Sequence, residues 1–516
     1  MQGQFSEPRP LKPAALQSIW LFQESLLNDL GPAASFIAAG FNLKFDVQQF
    51  EQEAWRILDE VEHQLGWMYE VLHTDGNSRG RLNYMVWSEI FSCSECSGEI
   101  NFVSEALESE TGKARDSFPC PHCGFQLNKD RLERCFVTKL DPVTQEPWKR
   151  IDLRPVFINY SIGRISYERP VTKDDLDILA QIYKLPYPHE VPSLIFPVEN
   201  MYHGSRIEPK GFKSAHHFYF SRTAHALGML WRLASEVSEK NASLARALKF
   251  WLDSHFVNLS IENRYRPGVS YPYNLLSGVY YVSSMICEAD YLKAYANKLK
   301  RISSAFSQCS AFSSSNAAIT TGDCASLSVP NESIDYIFTD PPFGANIFYA
   351  DLNLLVESWH GVISDSANEA IVDSAKKKGV NEYQNLMRHC FSEYSRVLKP
   401  GRWMTVVFSN SSNSIWRAIQ EAMGASGFVV ADVRTLDKQQ GSYRQVTSTA
   451  VKQDLVISAY KPTKELQRQF DIGESSAESA WAFAREHLHN APRFVGNANV
   501  IEIVAERTPQ MLLRNP

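Results

Sequence analysis

Ile334, Tyr336, Ile337 and Phe338 form a short apolar run that ends abruptly at Asp340-Pro341-Pro342-Phe343-Gly344. The run reads as a buried parallel strand. Two consecutive prolines have no N–H to offer a ladder, so the backbone must leave the sheet here in a rigid, extended turn. A carboxylate and an aromatic ring are thereby held at the carboxyl end of a strand, where open α/β sheets bind their ligands. Few features restrict a chain so strongly.

This arrangement suits attack by an exocyclic amine on a methyl donor. The amine of adenine or cytosine is a poor nucleophile because its lone pair is delocalised into the ring. The Asp340 carboxylate and the Pro341 carbonyl form an acceptor pair for its two N–H groups, which would localise the lone pair. Phe343 offers a stacking surface for a base flipped from its helix. A strand-terminating turn with a helix-capping Asp is the alternative reading of the same residues.

Cys93-Ser-Glu-Cys96 and Cys120-Pro-His-Cys123, separated by 23 residues, form a tetrathiolate zinc signature. Each Cys-x-x-Cys turn aims two thiolates at one ion, and Zn²⁺ accepts four in a tetrahedron. A site closed by four sulfurs has no open position, so the expected role is structural. Pro119-Cys120 resembles a cytosine-C5 nucleophile dipeptide, but its place in a metal knuckle argues against that chemistry.

Asp46 to Tyr69 has helical periodicity, with Asp46 and Gln49 as a capping pair. Val156 to Glu168 reads as a hairpin about Gly163, followed by a helix capped by Thr172 and Asp175. His216 to Cys309 reads as mostly helical. His216 and His217 are adjacent and so unsuited to a helical metal pair; packing or hydrogen-bonding roles are expected. Arg264, Tyr265, Arg266, Tyr271 and Tyr273 suit phosphate and base contacts, or a loop that packs its tyrosines. The serine-rich stretch from Ser303 to Ser315 reads as a flexible connector, and Ala318 to Asp323 as a second buried strand. Helices from Tyr349 to Trp359, Glu382 to Leu398 and Ile415 to Met423 alternate with strands Trp403–Ser409, Phe428–Val433 and Asp454–Tyr460. Lys376 to Lys378 reads as a solvated face or lid. The loop from Thr435 to Lys452, carrying Lys438, Gln439, Gln440, Tyr443, Arg444 and Lys452, suits DNA contact or is a solvated hairpin loop. A helix near Ala477 to Leu488 and a strand from Asn499 to Val504 are expected towards the end.

With 516 residues, two or three domains are expected. The net charge of −6 gives no global drive toward nucleic acid, so any DNA contact must use local basic surface. Neither a signal-peptide core nor a membrane-length apolar run is present. Four of the nine cysteines fall in the paired motifs, which fits a reducing cytoplasm better than a disulfide framework.

Thr339-Asp-Pro-Pro-Phe-Gly344 resembles the catalytic motif of the amino-group DNA methyltransferases, which act on adenine N6 or cytosine N4. Asn28 to Ala38, the paired cysteines, His216-His-Phe-Tyr219 and Arg396-Val-Leu-Lys-Pro-Gly401 resemble segments of the large zinc-ribbon-bearing bacterial members, in the same order. The resemblance covers most of residues 25–462. It implies an α/β fold, a Rossmann-like S-adenosylmethionine-dependent sheet with a zinc-ribbon and helical insertion. The implied division is 1–45 as the first part of the methyltransferase domain, 46–210 as helix plus ribbon insertion, 211–462 as the catalytic domain and 463–516 as an extension. It also implies S-adenosylmethionine as cofactor and DNA as partner, in restriction-modification or phage defence. Asp29 matches the acid that binds the cofactor's ribose, although alone it reads equally as a helix cap. Asp323, with Cys324 beside it, matches the residue at the cofactor's adenine. Asp340 rather than Ser ahead of the prolines favours adenine N6.

One family element is not found: no Phe/Asp-x-Gly-x-Gly loop precedes Asp29. A second polypeptide or an upstream segment supplying that loop is one reading. Methylation of an RNA base is another, and a non-catalytic zinc-ribbon DNA-binding subunit of a defence complex is a third.

Overall fold

A computed structural model describes residues 25–108, 114–267, 280–310, 317–410, 412–436 and 454–471, with isolated short stretches between 481 and 503. The two tyrosines Tyr271 and Tyr273 and the loop residues Lys438 to Lys452 lie outside the described residues; of the expected Ala477–Leu488 helix, residues 481–485 and 487 are described and helical. Within the expected last strand, Ile501–Ile503 pairs with Arg493–Val495.

The labelled elements run in chain order: β1 (Ser25–Asp29), α1 (Pro32–Asn42), α2 (Val47–Leu65), β2 (Arg79–Cys93), β3 (Phe136–Leu140), β4 (Pro147–Ile151), β5 (Leu153–Ile162), β6 (Ile165–Pro170), α3 (Ser221–Glu236) and α4 (Ala242–Phe256). There follow β7 (Met285–Ala289), α5 (Tyr291–Ser310), β8 (Ala317–Thr321), β9 (Ile334–Thr339), α6 (Tyr349–His360), α7 (Val380–Val397), β10 (Leu398–Phe408), α8 (Asn413–Ala425), β11 (Val429–Leu436) and β12 (Asp454–Tyr460). The expected helices and strands are thus largely present, and the fold is mixed α/β.

Three sheets organise most of these elements, and β3 and β4 pair with each other as a separate antiparallel ribbon. β2 is the long central strand of an antiparallel sheet ordered β6-β5-β2-β7, which also gathers short strands around the cysteine knuckles. β1 and β8 form a two-stranded parallel ladder, with Asp29 opposite Thr321. The third sheet is ordered β9-β10-β12-β11; β9 runs parallel to β10, and the late β11-β12 hairpin is antiparallel.

The first core joins α2, β2, β5 and helices α3 to α5, with Trp251, Tyr291 and Tyr295 fully enclosed. A second lies between α7, α8 and the third sheet, around Phe391, Met404, Val406 and Ile419. A third, small core of Phe91, Ile100, Phe102, Phe118 and Leu127 supports the knuckles.

Several local expectations are corrected. The Asp46 cap accepts N–H bonds from Gln48 and Gln49 backbone groups rather than pairing with the Gln49 side chain. Residues 303–310 are not a connector: they finish α5, whose Phe306 packs edge-on against Phe45 and Phe50. β7 interrupts the stretch read as mostly helical, because it pairs with β2 and buries Ile286, Cys287 and Ala289 in the first core. Lys376 is not solvated either. Its Nζ bridges Asp351 (2.7 Å) and Asp373 (3.0 Å), and all three groups are buried. Lys378 donates to the carbonyls of Ser366, Ala367 and Glu369. Finally, β8 and β9 are not buried: β8 is half-exposed, while Tyr336 and Phe338 of β9 are 54% and 64% exposed. Nothing among the described residues pairs with the outer edge of β9.

Candidate functional site

The Pro-Pro turn leaves β9 beside the carboxyl end of β10 and is pinned carbonyl by carbonyl. The Tyr383 hydroxyl donates to Pro342 O (2.8 Å), Asn410 Nδ2 to Phe343 O (2.7 Å), and the Val372 N–H to Gly344 O (3.3 Å). Asn410 is itself braced, since the Trp416 indole N–H donates to its carbonyl at 2.8 Å. Gly344 sits at φ +72°, and a Cβ there would lie 3.2 Å from Ile415 and 3.3 Å from Asn410. Glycine alone accommodates both demands without strain. Pro341 is buried, whereas Asp340 reaches the surface. The Phe343 ring is half-buried, edge-on to Phe408 with centroids 5.3 Å apart. The exposed ring beside the turn belongs to Tyr349, which the sequence reading did not single out.

Two further acids stand at strand ends nearby. Asp29 closes β1, and its Oδ1 accepts the Gly31 N–H at 2.7 Å. Surrounding protein pushes its carboxyl above the usual range, against the lowering effect of that N–H. Asp323 follows β8 and accepts the Ala325 N–H at 2.8 Å. Asn28 ties the two ends together: its Nδ2 donates to Gly322 O (3.0 Å) and lies 3.2 Å from Cys324 Sγ. The Tyr394 hydroxyl lies beside Cys324 and Thr339, near the ends of β8 and β9. Burial raises the Tyr349 hydroxyl, and the charges of Asp340, Asp29 and Glu369 raise it further. Both acids therefore lie near enough to that ring for their charges to act on it. The strand-end geometry therefore brings Asp29, Asp323, Cys324, Asp340 and the prolines to one region.

At the knuckles the four cysteines also converge. Cys96 and Cys120 sulfurs are 3.7 Å apart, and those of Cys93 and Cys123 are 3.9 Å apart. A tetrahedron with Zn–S of about 2.3 Å requires sulfur separations of about 3.8 Å. The Glu95 and His122 backbone N–H groups point at Cys93 and Cys120 sulfurs, each at 3.4 Å, as thiolates require. Geometry and donor set fit a tetrathiolate metal.

A second cluster was missed because its carboxylate is remote in sequence. Asp141 receives Nε2 of His216 (3.0 Å) and of His217 (2.7 Å), all three being buried. The two histidines lie on a short 3-10 turn, Ala215–Phe218, so their rings can reach one partner. Two histidines and a carboxylate are a metal-ligand composition. Here, however, His217 Nδ1 accepts the Lys213 backbone N–H (3.1 Å), which places the ring proton on Nε2, facing Asp141. A neutral ring with its proton on Nε2 has no lone pair there for a metal. The arrangement is a hydrogen-bonded brace, in line with the role expected for these histidines. Tyr265, from the mixed arginine-tyrosine loop, is likewise buried, packed against Phe157.

Residues 334–495 match the DNA methylase family. The match is to the N6/N4 amino-group type and opens on the first residue of β9. No curated protein matches the chain. Among solved structures, the [4+2]-cyclase SpnF is 13% identical over 32% of this chain and 63% of its own, with a TM-score of 0.20. A SAM-dependent methyltransferase from Methanosarcina mazei is 13% identical over 31% and 77%, TM-score 0.18. A protein assigned as a DNA modification methylase from Thermus thermophilus is 14% identical over 31% and 59%, TM-score 0.16. The chain thus spans less than two thirds of the first and third of these. No helix among the described residues is long and apolar enough to cross a membrane.

Proposed function

We propose that the chain is the catalytic part of an S-adenosylmethionine-dependent DNA methyltransferase acting on an exocyclic base amine, adenine N6 in the first instance, within restriction-modification or phage defence. The observation that carries this reading is the Asp340-Pro341-Pro342-Phe343 turn, pinned at the carboxyl end of a parallel strand inside the segment that matches the DNA methylases. The methyltransferase unit is read as residues 1–45 with 211–462, interrupted by the insertion at 46–210 and extended by 463–516.

Asp340 and Pro341 O would accept the two N–H groups of a flipped base and orient its lone pair. Tyr383 and Asn410 fix the backbone that carries those acceptors, so little reorganisation is left for the moment of reaction. Phe343 or the exposed Tyr349 would stack on the base. The proton lost by the amine is accepted at Asp340 or passed to water. S-adenosylmethionine, when bound, supplies an electrophilic methyl. Asp29 is suited to its ribose hydroxyls because a carboxylate can accept from both, and Asp323 with Cys324 would face its adenine. Those donor sets fit the nucleoside half of the cofactor. Among the described residues, no glycine-rich turn offers a cradle for its amino-acid half. The four cysteines would hold one structural Zn²⁺ that closes the ribbon.

Incorporation of tritiated methyl into duplex DNA, compared with RNA, tests the reaction. Label in DNA that vanishes with Asp340→Ala supports the reading; label in RNA alone would replace it. A second reading is a subunit that becomes active only when another polypeptide completes the cofactor site.

A further inference from the structure

The buried charges at the start of α6 hold a segment remote from it in sequence. Asp351, in the first turn of α6, accepts the Tyr202 backbone N–H at Oδ2 (3.0 Å) and the Lys376 ammonium at Oδ1 (2.7 Å). Lys376 also binds Asp373 at 3.0 Å, and the Tyr280 hydroxyl donates to the Asp351 carbonyl at 2.8 Å. Asp351 and Asp373 are almost fully enclosed. Charged hydrogen bonds in such surroundings are strong, so the backbone at Tyr202 has little freedom. Tyr202 belongs to the connection between β6 and α3, yet its place is set by the helix that follows the Pro-Pro turn.

The Tyr202 ring lies on Phe348, with centroids 4.1 Å and planes 19° apart. Phe348 is buried, whereas Tyr202 keeps 47% of its surface exposed and Tyr349, the residue after Phe348, keeps 43%. Two exposed rings therefore stand side by side at the start of α6, and the charge of Asp340 acts on one of them. Arg206, four positions on from Tyr202, is exposed, and its guanidinium makes no ion pair or hydrogen bond among the described residues. The neighbouring cations are engaged: Lys210 donates to the Val282 carbonyl and pairs with Glu89, and Lys213 pairs with Glu208.

We infer that Tyr202 and Arg206 contact the DNA beside the target base, Tyr202 stacking on the base next to the flipped one and Arg206 meeting a phosphate. The inference rests on the reading above that the chain methylates a flipped base. Flipping takes a stacking partner away from each neighbouring base. An aromatic ring held beside the site restores that stacking whatever the sequence, because every base has a π-face. A guanidinium with no internal partner keeps its donors for phosphate oxygens, which favours nucleic acid over an apolar protein partner at this face. The ring is already fixed by Phe348 and by the Asp351 anchor, so binding need not order it.

The test exposes the purified full chain, bound to a random-sequence pool of duplexes carrying 5-bromodeoxyuridine, to long-wavelength ultraviolet light and maps the cross-linked peptides. Cross-links at Tyr202 are expected. Tyr202→Ala should weaken binding of the same pool about tenfold, the size of one stacked base, while Tyr202→Phe, which keeps the ring, should bind like the parent. Arg206→Gln should reduce the slope of log affinity against log salt by about one. Near-ultraviolet circular dichroism checks that each variant is folded, and the cross-link and the Arg206→Gln slope stand even if Tyr202→Ala is not. Cross-links confined to other residues, or unchanged affinity in folded Tyr202→Ala, would overturn the inference, as would a chain that binds no duplex. A face used by another protein would leave Tyr202 without a DNA cross-link and overturns it likewise. Cross-links at Tyr202 without methyl transfer would sink the proposed reaction and leave the DNA contact intact.

Discussion

The Asp141 brace makes the chain's acid stability a test of where a proton sits. His217 is stacked on Trp148 (centroids 4.0 Å apart) and faces Asp141, His216 and the charge of Arg150. Burial pushes its imidazole down to about 4, outweighing the hydrogen bond to Asp141 that favours the charged ring. His216 is lowered in the same direction, again mainly by burial. Asp141 is pushed up by burial, but N–H groups from His217, Thr144, His216 and Val143 together hold its carboxyl below the usual range. It therefore stays ionised throughout the window in which the histidines titrate. An unfolded histidine protonates near 6.5, so between about pH 6.5 and about pH 4 the unfolded chain binds the extra proton and the folded chain does not. Stability consequently falls as pH falls through that window. With a folded value of about 4, His217 alone accounts for about 3 kcal/mol at its lower end, at about 1.4 kcal/mol per unit. The structural reason is specific: the added proton must go to Nδ1, where it meets the Lys213 N–H. His217→Gln retains an N–H donor of similar reach and cannot titrate. It should cost about 1 kcal/mol near pH 7 and lose less stability than the parent chain by about pH 4.5. Urea midpoints of the two proteins across this range measure the difference, in which other titrating groups cancel. Parallel pH profiles would refute the argument. A second equivalent of zinc held by the parent chain and lost in His217→Gln would refute the tautomer assignment.

The site makes four further predictions. Asp340→Ala should lower methyl transfer more than tenfold with the fold retained; a smaller loss, under about 1.4 kcal/mol of barrier, would remove Asp340 from the chemistry. Tyr383→Phe and Asn410→Ala each free one carbonyl of the turn, and should lower the rate at saturating substrate while near-ultraviolet circular dichroism stays unchanged; an unaltered rate would show that the turn needs no pins. Protein purified without chelator should carry close to one zinc, and Cys123→Ser should lower that and open the ribbon to protease, because metal binding and folding of such a module are coupled. Isolated chain should bind S-adenosylmethionine about one to two decades more weakly than a complete site, having lost two or three hydrogen bonds of about 1 kcal/mol each; calorimetric titration showing low-micromolar affinity together with turnover would identify a cradle within the chain.

Much of this organisation is local and therefore legible in sequence. The Pro-Pro turn, the paired cysteines and the periodicities of α2, α6 and α7 follow from covalent geometry and from which face a residue occupies, and short segments carry both. That Asp29, Asp323 and Asp340 each close a strand could be anticipated from the apolar runs ahead of them, although among the described residues these strands lie in two separate sheets. What the sequence did not reveal depends on partners distant along the chain. Asp141 meets His216 and His217 across more than seventy residues, and nothing in the Asp-Pro-Val-Thr turn announces it. Asn410 and Tyr383 hold a turn lying respectively 67 and 41 residues earlier. The lysines at 376 and 378 look solvated until tertiary contacts surround them with carboxylates and carbonyls. The apolar run of β9 says that the strand should be buried. Only the assembled sheet shows that one edge and one face remain open, because burial belongs to a strand's neighbours and not to its own residues.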